Sequence, residues 1–417
     1  MNTEELLESI TSKLDQLHPP GDIEPERIHP VTIMTRERRQ LGDLEREFQK
    51  VLDSIKYDER IPSLISRLAD MHLREANFGR AIILYEMTLG LNSDQIQSWI
   101  NMGLAYLMVG NLKDAISCFG SALALDPDNI SGLVYLAQAQ LQSDEFEECN
   151  NTIDKAIHLN AGHPRALLVK GKYYRAMEQP EVAVTWLKRA IQHNSQFLPA
   201  MMELGYVYFS LKRHQDAIDT LTDALAIDSE QPYALVTMGD IYQDMHDPET
   251  ALYYYDKAIS IKFDDPELWI KKGDLHKSRK SYQQASNAYQ KAINANPEYV
   301  KAWVRNGSVM ILMKDEGTAL EYLNTALALE PDNAEVTHQR GLIYYSLERY
   351  DEALKDFDKA FSVDPSNPMH LYYRALMLEI LNRNDEAKRT WVVAQSLFEQ
   401  GEDITKAAEC KARIRRL

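Results

Sequence analysis

The chain has little cysteine, little basic charge and no long apolar run. Its 417 residues hold three cysteines, Cys118, Cys149 and Cys410, with no CxxC pair. That excludes a disulfide framework and suits a reducing compartment. Lys and Arg number 46 against 63 Asp and Glu, a formal net charge of −17. Nucleic acid is therefore not expected as a partner, because affinity for its backbone comes from clustered Lys and Arg. An acidic surface mainly keeps an extended chain soluble. No apolar stretch is long enough to span a bilayer and no signal peptide is visible, so no membrane contact is expected and the expected compartment is the cytoplasm.

Catalytic signatures are missing as well. Eleven histidines are scattered through the chain. None forms HExxH, and no two stand four apart. His158 and His163 come nearest, across an expected helix end. There is no Walker loop, no GxSxG and no GxGxxG. Acidic pairs such as Asp264-Asp265 and Asp351-Glu352 fall at turns and helix starts, where carboxylates are favoured in any case. The chain reads as a non-enzyme with no cofactor and no metal.

What is present is a repeat. Residues 96–129 contain two amphipathic helical patterns. The first is expected from about Ser98 to Val109, with Trp99, Met102, Gly103 and Tyr106 on one face. The second is expected from about Lys113 to Leu125, with Ala115, Phe119 and Ala122 on one face. Gly110-Asn111 makes the turn between them, and Asp126-Pro127 stops the second. A helix pair this short cannot bury its own apolar face and needs copies of itself.

The copies recur every 34 residues without insertion or deletion over residues 62–401. The Ala115 slot holds Ala81, Cys149, Ala183, Ala217, Ala251, Ala285, Ala319, Ala353 and Ala387. Glycine or alanine fills the Gly103 slot in all ten units. Small residues let two helices approach closely. Larger ones fill the space between, such as Phe119, Tyr255, Tyr289 and Trp391. The prolines agree independently. A proline inside a helix costs ~3 kcal/mol or more. From residue 62 onward every proline falls at an expected helix start, as Pro164, Pro180 and Pro199 do, or just past an end, as Pro297 and Pro331 do.

This pattern resembles the tetratricopeptide repeat family. Trp99, Met102, Gly103, Tyr106, Ala115, Phe119, Ala122 and Pro127 match its eight signature slots, with Met102 where Leu is usual. The resemblance covers about four-fifths of the chain. It implies an all-α, right-handed superhelical solenoid of 34-residue helix-turn-helix repeats. These start at residues 62, 96, 130, 164, 198, 232, 266, 300, 334 and 368. The least typical units are 62–95, 130–163 and 368–401. Less typical end repeats suit an array, because an end repeat has one face toward water.

Outside the repeats, residues 1–34 read as an arm. It has a short helix with Leu6, Leu7, Ile10, Leu14 and Leu17 on one stripe, then a proline-rich linker. That stripe either docks on the protein itself or serves as a tethered ligand. Residues 35–61 read as an N-terminal capping helix whose apolar face includes Leu41, Leu44, Phe48 and Ile55. Residues 402–417 read as a C-terminal capping helix, with Ile404, Ala407, Ala408, Lys411, Ile414 and Leu417 on its stripe. Arg413, Arg415 and Arg416 at its end compensate the helix dipole or form a docking patch.

The resemblance further implies a concave groove, lined by the second, fifth, ninth, twelfth and thirteenth residues of each first helix. Carried over, Ile100, Leu104, Leu107 and Met108 make an apolar section. Arg165, Lys172 and Arg175 follow, then Met202, Tyr206, Phe209 and Tyr233. Next comes an acidic section with Asp240, Asp244, Glu267 and Asp274. Aromatic anchors flanked by charge suit a binding patch. Equally, Met202, Tyr206 and Phe209 can pack between adjacent repeats. The implied function is an adaptor that holds a peptide or helix of a partner protein, one with Lys or Arg near an apolar anchor. The alternative is a structural protein that self-associates through repeat ends or convex faces. Binding of heat-shock chaperone tails is disfavoured: Lys301 and Arg305 match part of the family's carboxylate clamp, but no three consecutive repeats complete it.

Overall fold

The structure, a computed structural model, describes residues 60–417. The N-terminal arm and nearly all of the expected N-terminal capping helix lie outside the described residues. Among the described residues there are twenty-one α-helices and no strand. They fall into two compact units, one ending at Ser229 and one beginning at Glu230.

The first unit contains α1 (Ile61–Arg74), α2 (Phe78–Leu91), α3 (Ile96–Met108), α4 (Leu112–Leu125) and α5 (Ile130–Gln142). It continues with α6 (Phe146–Leu159), α7 (Pro164–Ala176), α8 (Pro180–His193), α9 (Leu198–Ser210) and α10 (His214–Ile227). The second unit contains α11 (Pro232–Asp244), α12 (Pro248–Ile261), α13 (Pro266–Ser278), α14 (Tyr282–Ala295), α15 (Val300–Leu312) and α16 (Glu316–Leu329). It ends with α17 (Ala334–Ser346), α18 (Tyr350–Val363), α19 (Pro368–Ile380), α20 (Asn384–Gln400) and α21 (Ile404–Arg416). Within each unit every odd-numbered helix packs on the next, and each even-numbered helix packs on the one after it.

Steric demand explains the pairing. The Ala115 slot is fully buried from Ala81 to Ala387, and so is the Phe119 slot from Tyr85 to Trp391. The small residue on the first helix admits the large one on the second. A Cβ on Gly103 would lie 2.6 Å from Phe119 Cε1, and one on Gly239 2.5 Å from Tyr255 Cε1. Prolines stand in the first turn of α1, α7, α8, α9, α11, α12, α13 and α19, where no amide hydrogen is required. Asp247 and Asp265 cap α12 and α13 by accepting from the backbone N–H of Thr250 and Glu267.

Three local features differ from the sequence reading. Every repeat turns through a left-handed residue, but only Gly110 is a glycine; the slot is otherwise filled by residues such as Ala76, Lys280 and Glu348. The turn still closes because the following amides reach back to the helix end, as Asn77 N does to His72 O at 2.8 Å. In α21, Ile404 is 80% exposed and Ala408 and Lys411 also face solvent, while Ala407 and Cys410 are buried. Ala407, Ile414 and Leu417 of the expected stripe do pack on the core, with Cys410 added and Ile404, Ala408 and Lys411 left out, because a short helix offers two overlapping stripes of helical spacing. Arg413 does not stand free at the end of α21: its Nη1 lies 3.2 Å from Glu379 Oε1. No helix among the described residues is long and apolar enough to cross a membrane.

Candidate functional site

The expected groove residues fall in both units, and each set is described within its own. In the first unit, α7 supplies Arg165, Lys172 and Arg175, and α9 supplies Met202, Tyr206 and Phe209. The apolar section expected on α3 is not a surface. Ile100, Leu104 and Leu107 are buried in a core with Leu68 and Phe119, and only Met108 is exposed. A groove slot opens to solvent only where a neighbouring repeat does not cover it.

Charge and aromatic rings interleave along α7 and α9. Arg165 lies over Tyr135, 5.6 Å from the ring centroid, and over Phe197 at 6.0 Å. Arg175 Nε donates to Glu203 Oε1 at 2.5 Å, and its guanidinium lies 5.5 Å from the Tyr206 ring centroid. Tyr206 is 37% exposed, so it is an open aromatic face braced from one side. Phe209 is half-buried, with Lys212 Nζ 5.6 Å above its ring and His214 beside it. Met202 and Lys172 are half-buried.

Sequence reasoning missed Glu203, which is buried and orients Arg175. Its signal was a carboxylate on an otherwise apolar face of α9. Lys170 was missed too. It is almost fully buried, with Nζ 2.7 Å from Asn150 Oδ1 and 2.6 Å from Asp154 Oδ1. Tyr173, Tyr174 and Trp186 surround its ammonium group.

The second unit holds Tyr233, Asp240, Asp244 and Asp274. Tyr233 is 47% exposed and Asp244 is exposed. Asp240 and Asp274 are engaged within the fold. The buried Tyr255 hydroxyl donates to Asp240 Oδ1 at 2.6 Å, and Lys271 Nζ donates to the same oxygen at 2.8 Å. Tyr289 donates to Asp274 Oδ1 at 2.7 Å, with Arg305 Nε 3.7 Å away. Lys301 donates to Glu267 at 2.7 Å. The acidic section is therefore largely compensated by its own neighbours. Burial, then the adjacent carboxylate, pushes the Tyr255 and Tyr289 hydroxyls far above the usual tyrosine range, so both stay donors.

The same device recurs in the first unit. Tyr85 donates to Asp70 at 2.5 Å and Asn101 donates to the same oxygen at 2.8 Å. Burial raises the Asp70 carboxyl, and the two hydrogen bonds oppose that rise. In all three cases tyrosine and aspartate stand 15 residues apart. Units with Phe, Leu, Ile or Trp in the tyrosine slot carry no aspartate partner. That covariation within one chain was the available signal.

Family profiles described as tetratricopeptide repeat match residues 96–129 and 334–367, 153–232, and 232–265 with 266–299. The chain belongs to the tetratricopeptide repeat family. No curated protein sequence matches it. Among solved structures, it is similar to a tetratricopeptide repeat protein from Parabacteroides merdae ATCC 43184, with TM-score 0.51 and 16% identity, over 62% of this chain and 93% of that one. It is also similar to a chain of the APC/C hetero-tetramer Cut9-Hcn1, with TM-score 0.46 and 15% identity over 82% of each. A third is PilF of Pseudomonas aeruginosa, with TM-score 0.43 and 21% identity, over 52% of this chain and 96% of that one. At these identities the likeness concerns the fold alone.

Proposed function

We propose that this tetratricopeptide repeat chain is a non-catalytic scaffold that binds a segment of a partner protein, extended or helical, across α7 and α9. The observation that carries the reading is the braced Tyr206: an exposed ring held by Arg175, which Glu203 holds in turn. A rigid aromatic supplies contact area at low entropic cost. Met202 and Phe209 widen the apolar anchor, and Arg165 and Lys172 add cationic edges that suit carboxylates on the segment. In the second unit, the exposed Tyr233 and Asp244 offer an aromatic face and a carboxylate suited to Lys or Arg, whereas Asp240 and Asp274 are already held by Lys271, Tyr255 and Tyr289.

The test is affinity capture from the native extract with the full chain, using Tyr206→Ala/Phe209→Ala as the control. A partner retained by the wild type and lost by the folded variant supports the groove reading. Equal retention by both removes it.

Self-association is the second reading. It is favoured by Val392, Val393 and Ile404, at 52%, 49% and 80% exposure on α20 and α21. Light scattering over a concentration series, with Val392→Ser/Val393→Ser beside the wild type, tests it. A mass that stays monomeric throughout removes it.

A further inference from the structure

One pair of imidazoles stands where most other repeats are aliphatic or small, the first two repeats placing a hydroxyl pair, Ser66 and Ser98, at the same two slots 2.9 Å apart. His338 is the fifth residue of its repeat, a slot held elsewhere by Ile100, Val134 or Val304. His370 is the third residue of the next, a slot held elsewhere by Ala200, Ala234 or Ala302. The array does not need imidazoles at either place to pack.

In the second unit the two rings meet, Nδ1 to Nδ1 at 3.0 Å. Phe357 and Tyr373 press on His338 with ring centroids 5.2 and 5.4 Å away. His370 is 2% exposed, and its buried Nε2 has no hydrogen-bond partner. Asp364 from the α18–α19 turn faces that nitrogen at 3.9 Å. On the same elements, Arg340 is closed on Asp356 and Arg374 on Asp358. The charges acting on the pair are thus Asp364 and the histidines themselves.

An Nδ1–Nδ1 contact forms only when one ring carries the hydrogen and the other a lone pair. One added proton leaves it intact, since an imidazolium still donates from Nδ1 to a neutral partner. A second proton sets N–H against N–H and puts two positive charges in one apolar pocket.

We propose that the His338–His370 pair is an acid-sensitive joint: closed while at most one added proton is held, and opened when both rings are charged, which loosens α19 to α21. Burial pushes both imidazoles below the ordinary histidine range, His338 to about 4 with help from His370, while Asp364 opposes the fall at His370. Both rings then bind protons more readily unfolded than folded. Stability of this end is full above the ordinary histidine value of about 6.5. It falls as the pH drops through the window toward about 4 and levels off below it.

Hydrogen exchange on the full chain tests this, with rates corrected for intrinsic chemistry. Going from about pH 7 to about pH 4.5, amides of α19 and α21 should speed up roughly tenfold or more relative to those of α15. The variant His338→Val/His370→Ala should lose that excess. An equal excess in the variant, or none in the wild type, overturns the proposal. Should the variant not fold, imidazole nitrogen NMR of the wild type decides instead. Two separated protonation steps support the joint, and both rings titrating together at the ordinary histidine value overturn it.

Discussion

The Tyr289 hydroxyl donates a 2.7 Å hydrogen bond to Asp274 across the helix pair α13–α14, from a ring that is fully buried. Removing the acceptor alone strands a buried donor, which costs about 1–3 kcal/mol. Asp274→Leu is therefore expected to destabilise by that amount. Asp274→Leu with Tyr289→Phe should recover most of the loss, since Leu104 with Phe119 and Leu342 with Phe357 already fill these slots. Urea melts of the four-member mutant cycle measure the coupling. Additive effects would mean that the bond contributes nothing.

Asn306 presents the opposite case. It is fully buried on α15, and neither its Oδ1 nor its Nδ2 has a hydrogen-bond partner. The same slot holds Leu68, Met102, Leu204 and Met238 in other repeats. Asn306→Leu should raise stability by about 1–3 kcal/mol, the desolvation cost of unpaired groups. A lower urea midpoint in the variant would show that the amide is satisfied in solution.

Two glycines should respond to the same substitution with opposite signs. A Cβ on Gly205 would stand 2.5 Å from Leu221 Cγ, whereas one on Gly120 would meet nothing within 4 Å. Gly205→Ala is expected to cost about 1–3 kcal/mol through overpacking. Gly120→Ala, on the open face of α4, should gain about 0.5–1 kcal/mol from helix propensity. Thermal melts of both variants check the pair, and equal shifts would contradict the packing account.

What the sequence showed depended on the kind of constraint. Ala115, Gly103 and the prolines were legible because each expresses a one-residue steric rule that repeats at fixed spacing. The left-handed turns at Lys280 and Glu348 were not, because backbone bonds hold them there without glycine. The groove was legible only in part. Exposure of Tyr206 or burial of Leu104 depends on the neighbouring repeat, and period alone does not report that. The compensation of Asp240 by Tyr255 and Lys271 links residues 15 and 31 apart. It emerges only when all repeats are aligned on one another.

Partner binding separates the anchor from the charges around it. If a segment docks on α7 and α9, Tyr206→Ala and Phe209→Ala should each weaken binding by ~2 kcal/mol or more, because a central aromatic carries most of the energy. Arg175→Ala should cost less, acting through the lost brace on Tyr206. Lys172→Gln should mainly slow association and flatten its salt dependence, since exposed charges steer encounter more than they hold a complex. Asp274→Asn is a poor probe of steering, because that carboxylate also serves Tyr289. Asp244→Asn is the better probe on the second unit. With a captured partner, the readouts are equilibrium affinity and association rate at two salt concentrations, with circular dichroism preserved. Unchanged affinity in Tyr206→Ala/Phe209→Ala would assign these rings to packing between repeats. An association rate equally salt-dependent in wild type and Lys172→Gln would leave the aromatic anchor standing and remove the steering role of the lysine.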